Sequence, residues 1–215
     1  MQTALVKPSF EFPAEGRALE KGAWQRALPL ILIAAFLLSG AAITAKALYV
    51  PVKAEVAQIL LKRAFAASLA SGQPVKPWSW ADTASIARIT VPHLEASDVV
   101  LSGGSGEAMA FGPTALIDDP ARALTVLAAH RDTHFEFVQK LRAGDLLEME
   151  RIDGSRSSFR VTHFETVRWD EFVHPIDGRS YGNGGLLVLT TCYPFGTSIP
   201  GPLRRVVWAE RVRAL

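Results

Sequence analysis

The sequence predicts a mostly β domain, a small barrel or sandwich, carried behind an N-terminal membrane-spanning helix and a second helix. Three observations predict it. From Ala84 onward, short runs of β-type residues alternate with Gly, Pro and Asp turns, and one stretch looks helical. From Ala27 to Ala45, nineteen residues carry no charge, close to the ~20 apolar residues a helix needs to cross a bilayer. Between these regions, the run after Pro51 is dense in helix formers and is stopped by Gly72 and Pro74.

Taken in order, residues 1–26 mix Glu, Lys, Arg, Pro and Gly without apolar periodicity and read as a disordered tail. Pro29 stands near the start of the apolar run, where a missing N–H costs least. A cleaved signal peptide would have a shorter apolar core of roughly 7–15 residues. The long, partly acidic tail ahead of the run favours an uncleaved signal anchor instead. In the following helix, Val56, Ile59, Leu60 and Ala67 are expected on one face, flanked by Leu61 and Phe65. Residues 74–82, PVKPWSWAD, read as a linker whose two tryptophans pack on the domain or sit at a membrane interface.

Expected strands are Ala87–Val91, Val99–Leu101, Leu124–Ala129, Leu146–Arg151, Ser158–Thr166, Leu186–Thr191 and Val206–Val212. A short eighth is expected at Thr114–Ile117, and a helical stretch at His134–Leu141. Asp145, Asp153-Gly154 and Asn183-Gly184-Gly185 fall where the chain must reverse.

Charge bears on partners. Residues 1–70 carry eight Lys/Arg against four Glu, whereas residues 71–215 carry fifteen against seventeen Asp/Glu. The basic excess therefore accompanies the apolar run, and the β region lacks the clustered cations that nucleic-acid binding requires. A single cysteine, Cys192, rules out an internal disulfide framework. It ends the apolar run LLVLTT, just before a Pro/Gly-rich loop that closes on Arg204 and Arg205.

A thiol becomes a nucleophile through its thiolate and needs a base or cation nearby. Of five histidines, His130 stands out because it ends the apolar run LTVLAA and opens the turn Arg131-Asp132-Thr133. It mirrors Cys192 as a reactive group at the lip of a buried strand, and His134 on the same turn is the second choice. His93, His163 and His174 read as structural or solvated. Cys192 would attack a carbonyl, His130 would protonate the leaving amine, and an arginine would hold the oxyanion. Arg204 and Arg205 alternate across their strand, so one faces the site and one faces away; periodicity does not say which.

These residues resemble the sortase family. Leu189-Thr190-Thr191-Cys192 matches the Leu-X-Thr-Cys core of its signature, with Val188 where Thr is usual. His130-Arg131-Asp132-Thr133-His134-Phe135, followed by Leu141-Arg142-Ala143-Gly144-Asp145, looks like the family's histidine region and is most similar to class D. Cys192-Tyr193-Pro194-Phe195 with an arginine twelve residues after the cysteine is also class D-like. The runs PWSWADTASIARITVP and GGSGEAMAFGP are similar to the Gram-negative, marine proteobacterial branch. The resemblance covers residues 76–212 and the anchor.

What it implies is an eight-stranded β-barrel with short helices that cuts a Leu-Pro-X-Thr-Gly-like C-terminal sorting signal and passes the acyl group to an amine. Cys192 becomes the nucleophile, His130 the acid/base and Arg204 the oxyanion or clamping residue. Thr190, Thr191, Tyr193, Arg131 and His134 become substrate contacts. The implied partner is an exported protein with that signal, and the implied organisation is a cytoplasmic tail at 1–26 and a transmembrane signal anchor at 27–48. A stalk helix and linker at 49–82 and a catalytic domain at 83–215 follow, outside the inner membrane. No cofactor is implied, and no acidic cluster reads as a calcium site. There is no Asp-Pro-aromatic lid of the pilus-building kind, and Arg168–Gly185 stands where the recognition loop would be. A Cys/His hydrolase using water and a non-catalytic β-barrel binding module are the competing readings.

Overall fold

The computed structural model describes residues 19–171, 185–197 and 199–212. Eight strands close into a barrel: β1 Ser85–Val91, β2 Ala96–Leu101, β3 Thr114–Asp119, β4 Leu124–Ala128, β5 Leu146–Arg151, β6 Arg156–Arg168, β7 Leu186–Cys192 and β8 Leu203–Arg211. Around the barrel they run β1-β2-β3-β4-β7-β8-β6-β5. All eight expected strands are present; β5 has the expected bounds, β4 is one residue shorter, and the others are longer than expected. The expected helical stretch is a 3-10 turn at Glu136–Lys140, and a short helix, α2 at Gly106–Met109, had no counterpart in the sequence reading. The Ser105 hydroxyl caps α2 by accepting from the Ala108 N–H.

Strand alternation sorts the apolar side chains into an inside and an outside. Ile89, Val100, Leu127, Leu147, Val161, Leu187, Leu189 and Val207 fill the lumen. The opposite faces of β4, β7 and β8 carry a second cluster: Leu124, Val126, Leu186, Val188 and Val206. Strand β7 is therefore buried on both faces along Leu186–Thr191, which is why its sequence is continuously apolar instead of alternating. It lies parallel to β4, with Ala128 beside Thr190, and antiparallel to β8, with Cys192 opposite Arg204. At the end of β4 away from His130, Arg151 pairs with Asp118 and bonds Thr125, and the carboxylate holds the guanidinium above its ordinary range.

The chain divides into a unit ending at Val52 and a compact unit beginning at Lys53. Helix α1 is assigned over Leu19–Ser71. It starts earlier than expected because LEKGAWQRAL is rich in helix formers, so Pro29 and Pro51 both lie inside it. In the first unit its apolar side chains are exposed, among them Leu30, Phe36 and Leu38. Among the described residues it is the one helix long and apolar enough to cross a membrane.

In the second unit the helix buries Ala57, Leu61, Ala64, Phe65 and Ser68. This corrects the expected face: Val56 and Ile59 are about half exposed, and Ala67 is exposed. Small residues at 57, 64 and 68 let the backbone approach while Leu61 and Phe65 reach the outward-facing Val99 and Leu101 of β2 and Ala108 of α2. The Arg88 guanidinium lies 4.5 Å over the Phe65 ring. Burial of each large side chain stabilises the helix by about 1.5–3 kcal/mol. In the linker, Trp78 packs edge-on against Phe111 at 5.1 Å, whereas Trp80 is 83 % exposed.

Candidate active site

Parity along three adjacent strands decides what meets at the lip of the barrel. On β7, Leu187 and Leu189 point inward, so Thr191 does too, and Cys192 faces outward with Val188 and Thr190. On β4 the same alternation sends Ala129 inward and His130 outward, in step with the parallel neighbour. Thr191, buried, donates its hydroxyl to the Ala129 carbonyl at 2.7 Å, and the Ala129 N–H reaches the Thr190 carbonyl. These bonds pin the approach to His130 against the approach to Cys192.

Strand β8 settles the arginine geometry. Arg204 stands directly opposite Cys192, and Arg205 directly opposite Thr191. Arg204 therefore shares the outer face with the thiol. Its Nη1 donates to the Gly201 and Leu203 carbonyls at 3.0 and 2.9 Å. Arg205 takes the inner face, where its guanidinium stacks 4.9 Å over Phe164 and bonds the Thr166 hydroxyl at 3.2 Å.

Cys192, His130 and Arg204 line one groove of about 400 Å³. Its other walls include Thr190 and Thr191 with the apolar Met109, Leu116 and Trp169. The thiol is half-buried and unpaired, while His130 is exposed. A partly shielded thiol with an imidazole and a fixed cation around it can carry out acyl transfer. Trp169 follows β6 and is 62 % exposed. It is bracketed by Arg168 and Asp170, whose contact at 3.0–3.1 Å holds Asp170 below the usual carboxylate range.

Two other predicted contacts lie elsewhere. Arg131 is buried and does not line the groove; it bonds the carbonyls of Pro194, Thr197 and Ile199. His134 turns to β2, where Nδ1 meets the Asp98 carboxylate at 2.7 Å. A turn sends successive side chains in different directions, so nearness to His130 in sequence did not put them beside the thiol. Tyr193 packs on Phe195 at 5.9 Å, next to the groove. Met109 and Leu116 were missed by the sequence reading; the only signal was their place in and just after the run GGSGEAMAFGP. Of the expected recognition segment Arg168–Gly185, residues 172–184 lie outside the described residues, and His174 with them. Among the described residues no His, Cys, Asp or Glu cluster is suited to a metal ion.

The fold has counterparts among solved structures. Sortase C-1 from Actinomyces oris matches with a TM-score of 0.50 at 25% identity, over 60% of this chain and 74% of that one. Sortase A from Corynebacterium diphtheriae matches with a TM-score of 0.52 at 19% identity, over 63% and 64%. Sortase C from Clostridium perfringens SM101 matches with a TM-score of 0.50 at 19% identity, over 75% and 90%. The last two likenesses speak for the fold alone. No curated protein matches the sequence. The Sortase domain family model matches residues 89–212. That match takes in more than half of the chain and spans all three strands that meet at the groove, so the protein belongs to the sortase family of cysteine transpeptidases.

Proposed function

We propose that the protein is a membrane-anchored, class D-like sortase of the Gram-negative branch. It cuts a Leu-Pro-X-Thr-Gly-like C-terminal signal on an exported protein and passes the acyl group to an amine. The observation that carries this reading is the register of β7 on β8, which sets Cys192 opposite Arg204 while β4 brings His130 to the same groove.

The Cys192 thiolate attacks the threonine carbonyl carbon of the signal. Negative charge collects on the carbonyl oxygen, where the Arg204 guanidinium stabilises it. The imidazolium of His130 gives its proton to the glycine nitrogen, the C–N bond breaks, and a thioester remains on Cys192. An incoming amine then attacks the thioester, neutral His130 takes the proton that the amine loses, and the thiolate leaves. Met109, Leu116 and Trp169 offer an apolar wall to the leucine and proline of the signal. Residues 27–48 serve as the anchor, with 1–26 in the cytoplasm, 49–82 as stalk and linker, and 83–215 acting outside the inner membrane.

Mass spectrometry of the full chain mixed with a sorting-signal peptide tests this. An acyl adduct on Cys192 is expected, absent in Cys192→Ala, and an added amine should yield the transamidated product. Release to water alone, with amine present, would make the protein a hydrolase. A thiol that neither acylates nor alkylates would make it a binding module.

A further inference from the structure

Arg131 is next to His130, and the transfer steps above give it nothing to do. Its side chain is 6 % exposed, so a permanent charge is held inside the wall beside the groove. A buried guanidinium is tolerated only where its N–H groups find partners. Here they find the loop that follows Cys192. Nη1 donates to the Pro194 carbonyl at 2.8 Å, and Nη2 donates to the carbonyls of Thr197 and Ile199, the latter at 3.2 Å. Nε reaches the exposed Asp132 carboxylate at 3.4 Å.

These contacts occupy four of the five N–H groups that an arginine has, which leaves little for a substrate. Their geometry also explains the residue type. A rigid planar fork can hold several carbonyls of one curved loop, whereas a lysine ammonium is a point charge on a flexible stem. The far side of the turn is held as well. The N–H groups of Thr133 and Phe135 donate to the His130 carbonyl at 3.4 and 3.0 Å, and His134 is tied to Asp98 at 2.7 Å.

We propose that Arg131 is a positioning residue: by bonding the loop that begins at Cys192, it sets where His130 stands relative to the thiol. This rests on the reading of Cys192 and His130 as the reacting pair. It assigns Arg131 a role other than the substrate contact implied by the family resemblance. Misplacing a reacting group by about 1 Å can cost on the order of a hundredfold in rate, and Arg131 adds a side-chain tie between the turn that opens at His130 and the loop that follows Cys192, beyond the Thr191 and Ala129 bonds that join the two strands.

The test uses the full chain in detergent, with Arg131→Lys as the first variant. Turnover of a sorting-signal peptide should lose about a hundredfold in kcat with KM unchanged. The rate of Cys192 alkylation by iodoacetamide against pH should move toward the profile of His130→Ala. Adding Arg131→Lys to His130→Ala should then change that profile no further, because the effect passes through His130. Should Arg131→Lys fail to fold, Asp132→Asn takes its place. Asp132 is 64 % exposed, and its loss should lower kcat more mildly in the same direction. A raised KM with kcat kept would make Arg131 a substrate contact and overturn the proposal. So would additive effects with His130→Ala, or a lower melting temperature with unchanged kinetics. Full cleavage by His130→Ala would instead sink the functional reading itself.

Discussion

The choice between Arg204 and Arg205 makes the sharpest quantitative contrast in this molecule. Both precede the buried part of β8, yet they stand on opposite faces. Arg204 shares the groove with Cys192 and makes both its bonds through Nη1 among the described residues, so Nε and Nη2 are available to an oxyanion. Losing one such donor typically costs about 10²–10³ in kcat, or ~2.7–4 kcal/mol of transition-state stabilisation. Arg204→Ala should show that loss without a matching fall in stability. Arg205→Ala removes the stacking on Phe164, worth about 0.5–1 kcal/mol at an accessible site. It also removes the Thr166 bond, worth about 0.5–1.5 kcal/mol. The melting temperature should therefore drop by a few degrees while kcat stays close to the parent value. Peptide turnover under saturating substrate and a thermal melt on the same samples read both effects. An Arg205→Ala enzyme crippled as deeply as Arg204→Ala, at a temperature where it is folded, would refute the assignment by strand face.

Other outcomes follow from the same geometry. Phe65→Ala should destabilise the second unit by about 3–5 kcal/mol, because Phe65 is fully buried against β2 and α2; chemical denaturation reads this directly. Gly112→Ala should also lower the denaturation midpoint, since a Cβ there would sit 2.7 Å from the Val99 carbonyl oxygen, and a backbone atom cannot swing aside as a side chain does. A chain beginning at Lys53 should fold, whereas one beginning after Ser71 should expose Val99 and Leu101 and bind a hydrophobic dye. Peptide turnover should follow a bell-shaped pH profile, because thiolate attack and imidazolium proton donation need two groups in opposite protonation states; a flat profile across about pH 5–10 would count against the pairing.

The strands were legible because a barrel wall buries one face and turns the other outward, and that alternation is written directly into runs such as Leu146–Arg151. Strand β7 was legible for the opposite reason, since burial on both faces leaves an unbroken apolar run. The face of α1 was misread because periodicity weighs large apolar residues, whereas the packed seam depends on Ala57, Ala64 and Ser68 being small enough for close approach. The different directions taken by Arg131 and His134 were not legible, because sequence reports neighbours along a turn and says nothing of where each side chain goes. The arginine ambiguity has a related cause. Eleven residues separate Cys192 from Arg204, and a one-residue slip of β8 on β7 would put Arg205 opposite the thiol instead. Such a slip would also turn Val207 and Ala209 out of the lumen and Val206 and Trp208 into it, so core packing resists it. The loop between the strands must close in the same register, and its Pro194, Thr197 and Ile199 carbonyls are the groups held by Arg131. The residue adjoining His130 thus braces the loop whose length and path decide which guanidinium faces Cys192.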